Sequence, residues 1–303
     1  MSSERAADAR CTSAVARLDT LAEAYPEWTA WLHVVREVVA ELSNPAWEAD
    51  PPRTVAVSDI APLLASAQIG PDGHAVARLW ERLVTIARGQ GLHAMTGDSK
   101  PAQEPSVDEA LGVFLEALNH DDAALGLRGS LTRADPEGWR ALARLLPMPY
   151  LHACARRWAT SRDASSWSQG YCPVCGAWPA FAEVLGVERV RHLRCGRCGA
   201  GWPMPVLACT YCGTTDHETL GTLVVDDKKS RFALDVCGAC SGYLKSCLTL
   251  QATPSDQVLA TDLGSVEFDL AAVERGFLRP AGTGVALGAS MPADRATPLA
   301  PRG

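Results

Sequence analysis

Eight of the eleven cysteines fall into four Cys-x-x-Cys pairs. They are Cys172/Cys175 in "YCPVCG", Cys195/Cys198 in "LRCGRCG", Cys209/Cys212 in "ACTYCG" and Cys237/Cys240 in "DVCGACSG". Two thiolates three positions apart in a tight turn both point inward, and amides of the turn donate to the sulfurs. Such knuckles suit soft ions in tetrahedral coordination. The first two pairs enclose residues 176–194, nineteen in all, which is zinc-ribbon spacing. The last two enclose the slightly longer stretch 213–236. Pairing in chain order predicts two tandem four-sulfur cages joined by a ten-residue bridge, residues 199–208. Glycine after the second cysteine relieves the strain of each turn. Gly176, Gly199 and Gly213 fill that place, and Ser241 replaces it once. Pro173 stiffens the first knuckle.

Other chemistries fit this pattern less well. A thioredoxin-like redox pair needs a surrounding βαβ pattern, and none of the four has one. A disulfide framework belongs to oxidising compartments. An iron–sulfur cluster also takes thiolates, but paired knuckles favour single ions. Zinc and iron both accept four thiolates, so the choice between them stays open. A closed four-sulfur site has no open position for water, which argues against hydrolytic metal catalysis. The simplest role for the ions is to fold a sheet too small for a large core. His192 and His217 lie near knuckles whose coordination spheres the cysteines already fill. Of the unpaired cysteines Cys11, Cys154 and Cys247, Cys154 reads as a small buried hydrophobe and Cys247 as bland or a spare ligand. Arg189, Arg191, Arg194 and Arg197 form a basic stripe that is either a solvated face or a contact for an acidic partner. Asp226 to Lys229 reads as a hairpin turn, not an acid/base pair. No phosphate loop, nucleophile elbow or H-E-x-x-H motif occurs.

Two kinds of element must position these cysteines. The first half reads as helices. In 25–42, Trp28, Trp31, Leu32, Val35, Val38, Val39 and Leu42 recur at helical spacing, and 74–89 repeats the pattern through Val76, Leu79, Trp80, Leu83 and Ile86. Ser106 and Glu109 form a capping box ahead of a helix to Leu118. Asp135 caps another that opens with Pro136, and a last helix runs from about Tyr150 to Ala159. A polar linker, "TSRDASSWSQG", follows. Beyond it, "AFAEVL" and "RVRHL" form one hairpin, and "TLGTLVV" and "SRFALDV" another, each between two cysteine pairs. Helical spacing returns in "DQVLATDLGSVEFDLAAVERGF", and the end from Gly282 is expected to be disordered. The fold class is therefore α+β: an all-helical domain at 1–165, a tandem rubredoxin-like module at 166–250, and a helical tail with a disordered end at 251–303.

At 303 residues the chain can bury a sizeable core, and a hydrophobic share of 47% with 21% charged residues is that of a globular protein. A net charge of −7 argues against a general nucleic-acid binder. Residues 166–250 carry eight Lys/Arg and seven Asp/Glu, so a DNA-binding ribbon is disfavoured too. No apolar run reaches the length of a membrane helix. "MSSERAADARCTS" lacks an apolar signal core, and Arg156-Arg157 falls within a helical pattern, so a cytoplasmic location is expected.

The order of motifs resembles the formate dehydrogenase accessory (formation) protein family. The likeness rests on the four pairs in sequence, the short gap between the middle two, and Trp202 just after the second. "YLK" at Tyr243–Lys245 after the last pair and the ending "DLGSVEFDLAAVERGFLRP" add to it. It covers roughly residues 165–280 by motif and the first half by helical character. The resemblance implies a cytoplasmic, non-enzymatic factor that assembles or activates formate dehydrogenase and binds its catalytic subunit before export. It also implies two mononuclear rubredoxin-like sites, thought to hold iron, with zinc the alternative. The eight paired cysteines are then the ligands. A rubredoxin-type electron-transfer protein is the alternative function. Oligomeric state is not implied.

Overall fold

The structure is a computed structural model, and it describes residues 14–48, 50–53, 60–97, 106–224 and 231–292. The first half is helical: α1 (14–24), α2 (Thr29–Glu41), α3 (Gly73–Gly89), the single turn α4 (His93–Thr96), α5 (Val107–Leu118), α6 (Asp122–Leu131), α7 (Pro136–Ala143) and α8 (Met148–Ser161). Local signals explain the starts of these helices. The Asp72 side chain accepts from the amides of His74 and Ala75 at the head of α3, and Asp135 accepts from Gly138 at the head of α7. Ser106 and Glu109 make the expected capping box on α5. The apolar stripes bury Leu32, Val35 and Val39 on α2 and Val76, Leu79, Trp80 and Leu83 on α3.

Helix α6 has no counterpart among the expected elements. Its sequence, "DAALGLRGSL", carries two glycines and a weak apolar stripe. Gly129 is needed because a Cβ there would lie 2.9 Å from Cβ of Trp139 on α7. The residue that permits the close helix–helix approach is the one that weakens the helical signal.

The second half builds one six-stranded sheet in the order β3-β2-β1-β6-β5-β4. Its strands are β1 (Phe181–Leu185), β2 (Val190–Arg194), β3 (Gly201–Pro203), β4 (Leu220–Val224), β5 (Phe232–Cys237) and β6 (Gly242–Thr249). Both expected hairpins form, β1 with β2 and β4 with β5. The Asp226–Lys229 turn lies outside the described residues. The two ribbons are fused edge to edge by a parallel pairing of β1 and β6 that sets Phe181 opposite Lys245. A parallel pair needs a long crossover, and the chain through β2, β3, β4 and β5 supplies it.

Behind the sheet lie α9 (Val258–Leu263) and α10 (Val266–Glu274). The segments that carried the family resemblance meet here. Lys245 is fully buried, and its ammonium sits 2.7 Å from both Asp262 and Asp269. Arg279 reaches the same two carboxylates, and the Tyr243 hydroxyl donates to Asp269 at 2.9 Å. "YLK" and the tail are thus two halves of one ion-pair cluster.

The ending differs from expectation. Residues 282–292 run as an ordered strap across the helical half and the first knuckle. The Val285 amide donates to the Gly176 carbonyl at 3.1 Å, and Asn119 exchanges two hydrogen bonds with the backbone of Ala289. Leu287 and Ala289 are buried. A Gly-rich, weakly patterned stretch reads as disorder because its partners are distant in sequence. Residues 293–303 lie outside the described residues. Trp158, Trp167 and Cys172 belong to one hydrophobic cluster, so the core crosses position 165 without a break.

Replacing Lys245 with methionine strands two carboxylates that Arg279 alone must balance. We expect Lys245→Met to cost about 3 kcal/mol in denaturant unfolding, with partial recovery in the Lys245→Met, Asp269→Asn double variant. Unchanged stability in the single variant would show that the cluster does not hold the tail.

Candidate metal centres

The structure brings the eight paired cysteines into two groups, Cys172/Cys175/Cys195/Cys198 and Cys209/Cys212/Cys237/Cys240, with all sulfurs of a group within 4.8 Å of one another. In the first, Sγ of Cys172 is 3.5 Å from that of Cys198, Cys175 is 3.5 Å from Cys195, and Cys175 is 4.0 Å from Cys198. In the second, Cys209 lies 3.7 Å from Cys240 and Cys212 lies 3.8 Å from Cys237. A metal–sulfur bond of about 2.3 Å in a regular tetrahedron gives sulfur–sulfur edges of about 3.8 Å. The distances therefore fit a single ion. They are far beyond the roughly 2.05 Å of a disulfide, and the space inside is too small for a cluster of several iron atoms.

The knuckle backbones follow one plan. The Gly176 amide donates to the Cys172 carbonyl, Gly199 to Cys195 and Gly213 to Cys209, at 2.9–3.0 Å. Each turn then leaves through the left-handed region, with φ of 68°, 69° and 73° at these glycines and 54° at Ser241. The sequence signal of a small residue after the second cysteine thus corresponds to one backbone requirement met four times.

Burial separates the two cages. All four cysteines of the first are fully buried and belong to the main core. Leu63 and Leu64 donate their amides to the carbonyls of Pro173 and Val174, and the strap closes over Gly176. In the second, Cys209 and Cys237 are buried, whereas Cys212 and Cys240 are exposed. Four packed thiols cannot all ionise without a cation. Burial and neighbouring sulfurs hold Cys172 and Cys198 well above the usual thiol range, while hydrogen bonds from those neighbours draw Cys175 down. Only a cation at the centre lets all four become thiolates.

Two histidines stand beside the first cage, and the sequence did not single them out. Burial, reinforced by Arg197, pushes the His120 imidazole down to about 4. Burial and Arg156 push His152 down to about 3. Both are neutral near pH 7. Arg197 donates to the Ala117 carbonyl at 2.6 Å and to the His120 ring at 2.7 Å, which ties the second knuckle to the end of α5. His192 and His217 belong to neither sulfur group.

Half of the arginine stripe is internal: Arg189 is exposed and Arg197 half-buried, but Arg191 and Arg194 are buried. Arg191 is 4% exposed and reaches Asp235, while Arg194 is 6% exposed and pairs at 2.9 Å with fully buried Glu183. Alternation along β2 turns these two side chains to opposite faces, where each finds an internal acid. Cys154 is buried as expected, and Cys247 is buried on β6 outside both cages. Cys11 lies outside the described residues. An aromatic ladder was also missed: Trp167, Tyr171, Trp178 and Tyr211 follow one another edge-on at 5.7, 6.3 and 5.2 Å between ring centres. It runs from the linker past the first cage to a residue inside the third knuckle. Each ring is a near neighbour of a cysteine in sequence, which is the signal that could have revealed it.

A helical body closed by a fused ribbon sheet with two four-cysteine groups defines a metal-binding scaffold class. No protein-family model matches the chain. Curated relatives do match. The FdhE homologue of Haemophilus influenzae strain PittEE is 29% identical over 143 residues, 46% of this chain and 45% of that protein. The homologue of Shewanella baltica strain OS223 is 32% identical over 111 residues, 36% of each. That of Stutzerimonas stutzeri is 30% identical over 146 residues, 44% of this chain and 47% of that one. The chain thus spans about half the length, or less, of the curated relatives it matches. The crystal structure of the FdhE protein from Pseudomonas aeruginosa matches the fold over 90% of this chain and 94% of that one, with a TM-score of 0.51 at 19% identity. The relatives that match in sequence are named FdhE homologues, the kind of protein that the order of motifs resembles, and the solved structure shares the fold.

The knuckle glycines allow a graded test. Gly213 faces open space, so Gly213→Ala carries only the left-handed penalty, about 1 kcal/mol. A Cβ at Gly199 would lie 2.5 Å from the Ser255 carbonyl and 2.8 Å from the His152 ring. We expect Gly199→Ala to cost about 3 kcal/mol by thermal melting, because steric overlap adds to the same penalty. Equal costs would contradict the packing of the second knuckle.

Proposed function

We propose that this chain is an accessory factor that supports the assembly or activation of formate dehydrogenase, acting in the cytoplasm by binding the enzyme's catalytic subunit. The observation that carries this reading is the coincidence of two four-cysteine groups with sequence likeness to proteins named FdhE homologues. The eight cysteines Cys172, Cys175, Cys195, Cys198, Cys209, Cys212, Cys237 and Cys240 are assigned as ligands of two single ions, iron or zinc. When bound, such an ion crosslinks two knuckles, and iron would add one-electron chemistry. The chain's own residues do the rest. The strap, Leu63 and Leu64 hold the first knuckle against the helices, and the Lys245 cluster holds the tail against the sheet. The product is a rigid body for a client to meet. Four thiolates leave no open coordination position, so the assignment is not that of a hydrolase. Among the described residues, no helix is long and apolar enough to cross a membrane.

A second reading, rubredoxin-type electron transfer, is favoured by the exposure of Cys212 and Cys240. It requires iron and a visible charge-transfer absorbance that dithionite bleaches reversibly. A colourless zinc protein with full function in cells excludes it.

The accessory reading predicts that alanine in place of one cysteine of each pair abolishes metal binding. It predicts loss of formate dehydrogenase activity in cells that depend on this chain, and co-purification of the intact chain with the catalytic subunit. Variants that bind no metal yet support full activity would separate the cages from the function.

A further inference from the structure

The two cages share a ligand set and differ in what surrounds them. Around the first, every route to sulfur is closed. A Cβ on Gly176 would meet the Val285 carbonyl at 2.7 Å, one on Gly199 would meet Ser255 and His152, and all four cysteines are fully buried. Around the second, a Cβ on Gly213 would meet nothing within 4 Å, and Gly238, Ala239, Cys240 and Ser241 are exposed in succession. Its other side is reachable as well. Cys209 and Cys237 line a cleft of about 260 Å³ between the sheet and the bridge, under Val206 and Leu207, which are 59% and 66% exposed. Thiolate exchange at a four-sulfur ion requires an incoming ligand to approach the ion while one sulfur swings away. Access and local freedom therefore set its rate more than the ligand set does.

We propose that the second cage is an exchangeable site, from which a thiophilic divalent ion such as zinc or ferrous iron passes to and from thiolate ligands of another molecule. The first keeps its ion as part of the core. In each step the incoming thiol replaces Cys212 or Cys240 at the ion and hands its proton to the departing cysteine. One metal–sulfur bond forms, one breaks, and no electrons are transferred. The proposal rests on reading the eight cysteines as metal ligands, and it does not depend on formate dehydrogenase being the client.

The test uses the full chain, purified anaerobically and shown by elemental analysis to carry two ions. It is challenged with excess EDTA, and samples are alkylated with iodoacetamide and mapped by peptide mass spectrometry. The proposal predicts two phases, with one equivalent leaving roughly tenfold faster or more than the other. In the fast phase Cys212 and Cys240 are alkylated first, then Cys209 and Cys237, while Cys172, Cys175, Cys195 and Cys198 stay protected until the chain unfolds. Release of both ions in one phase, or equal labelling of Cys195 and Cys212, overturns it. A Cys212→Ser chain supplies a second readout: it should retain about one equivalent and a cooperative melt, and loss of both ions contradicts the proposal. Failure to bind any metal would instead overturn the ligand reading beneath it.

Discussion

Four sulfurs held within 4.8 Å of one another can all ionise only against a compensating positive charge. In the first group that demand arises inside the hydrophobic core, and much of the surrounding chain is arranged against it. The pairing of residues 63–64 with the first knuckle, the strap over Gly176, the Arg197 contacts to the end of α5 and the packing of His152 on Gly199 all converge there. The helical half and the ribbon sheet are consequently one body, with the cage at their seam.

Buried charge is handled the same way elsewhere. Arg194 and Glu183 neutralise each other within the sheet, and two strands from Arg194, Lys245 with Arg279 answers Asp262 and Asp269. Unpaired, any of these groups would be costly in so dry a place. Paired, they tie the tail to β6, where Lys245 meets both aspartates and Tyr243 meets Asp269. The parallel β1–β6 pair joins the two ribbons into the one sheet on which the tail docks.

What the sequence made legible was local. Cysteine spacing, the small residue after each knuckle, the Ser106–Glu109 box and both hairpins depend on residues a few positions apart, and their physics is readable from those positions. The fused sheet, the strap from Gly282 and the burial of Arg191 and Arg194 depend on partners far along the chain. A glycine-rich ending looks disordered until Ser66, Ala67 and Asn119 supply its hydrogen bonds. An arginine stripe looks solvated until Asp235 and Glu183 are found opposite. The pairs themselves spoke for the cages, but nothing in their spacing distinguished the buried cage from the open one, because burial is conferred by the helices and the strap.

The central claim is that each group of four cysteines holds one ion through sulfur alone. X-ray absorption spectroscopy with elemental analysis on the anaerobically purified chain tests it most directly. Two equivalents of iron or zinc, with four sulfur neighbours at about 2.3 Å and no shorter nitrogen or oxygen shell, is the predicted result. Fewer than two ions in the folded chain, a mixed first shell, or a mass showing these cysteines joined as disulfides would contradict it.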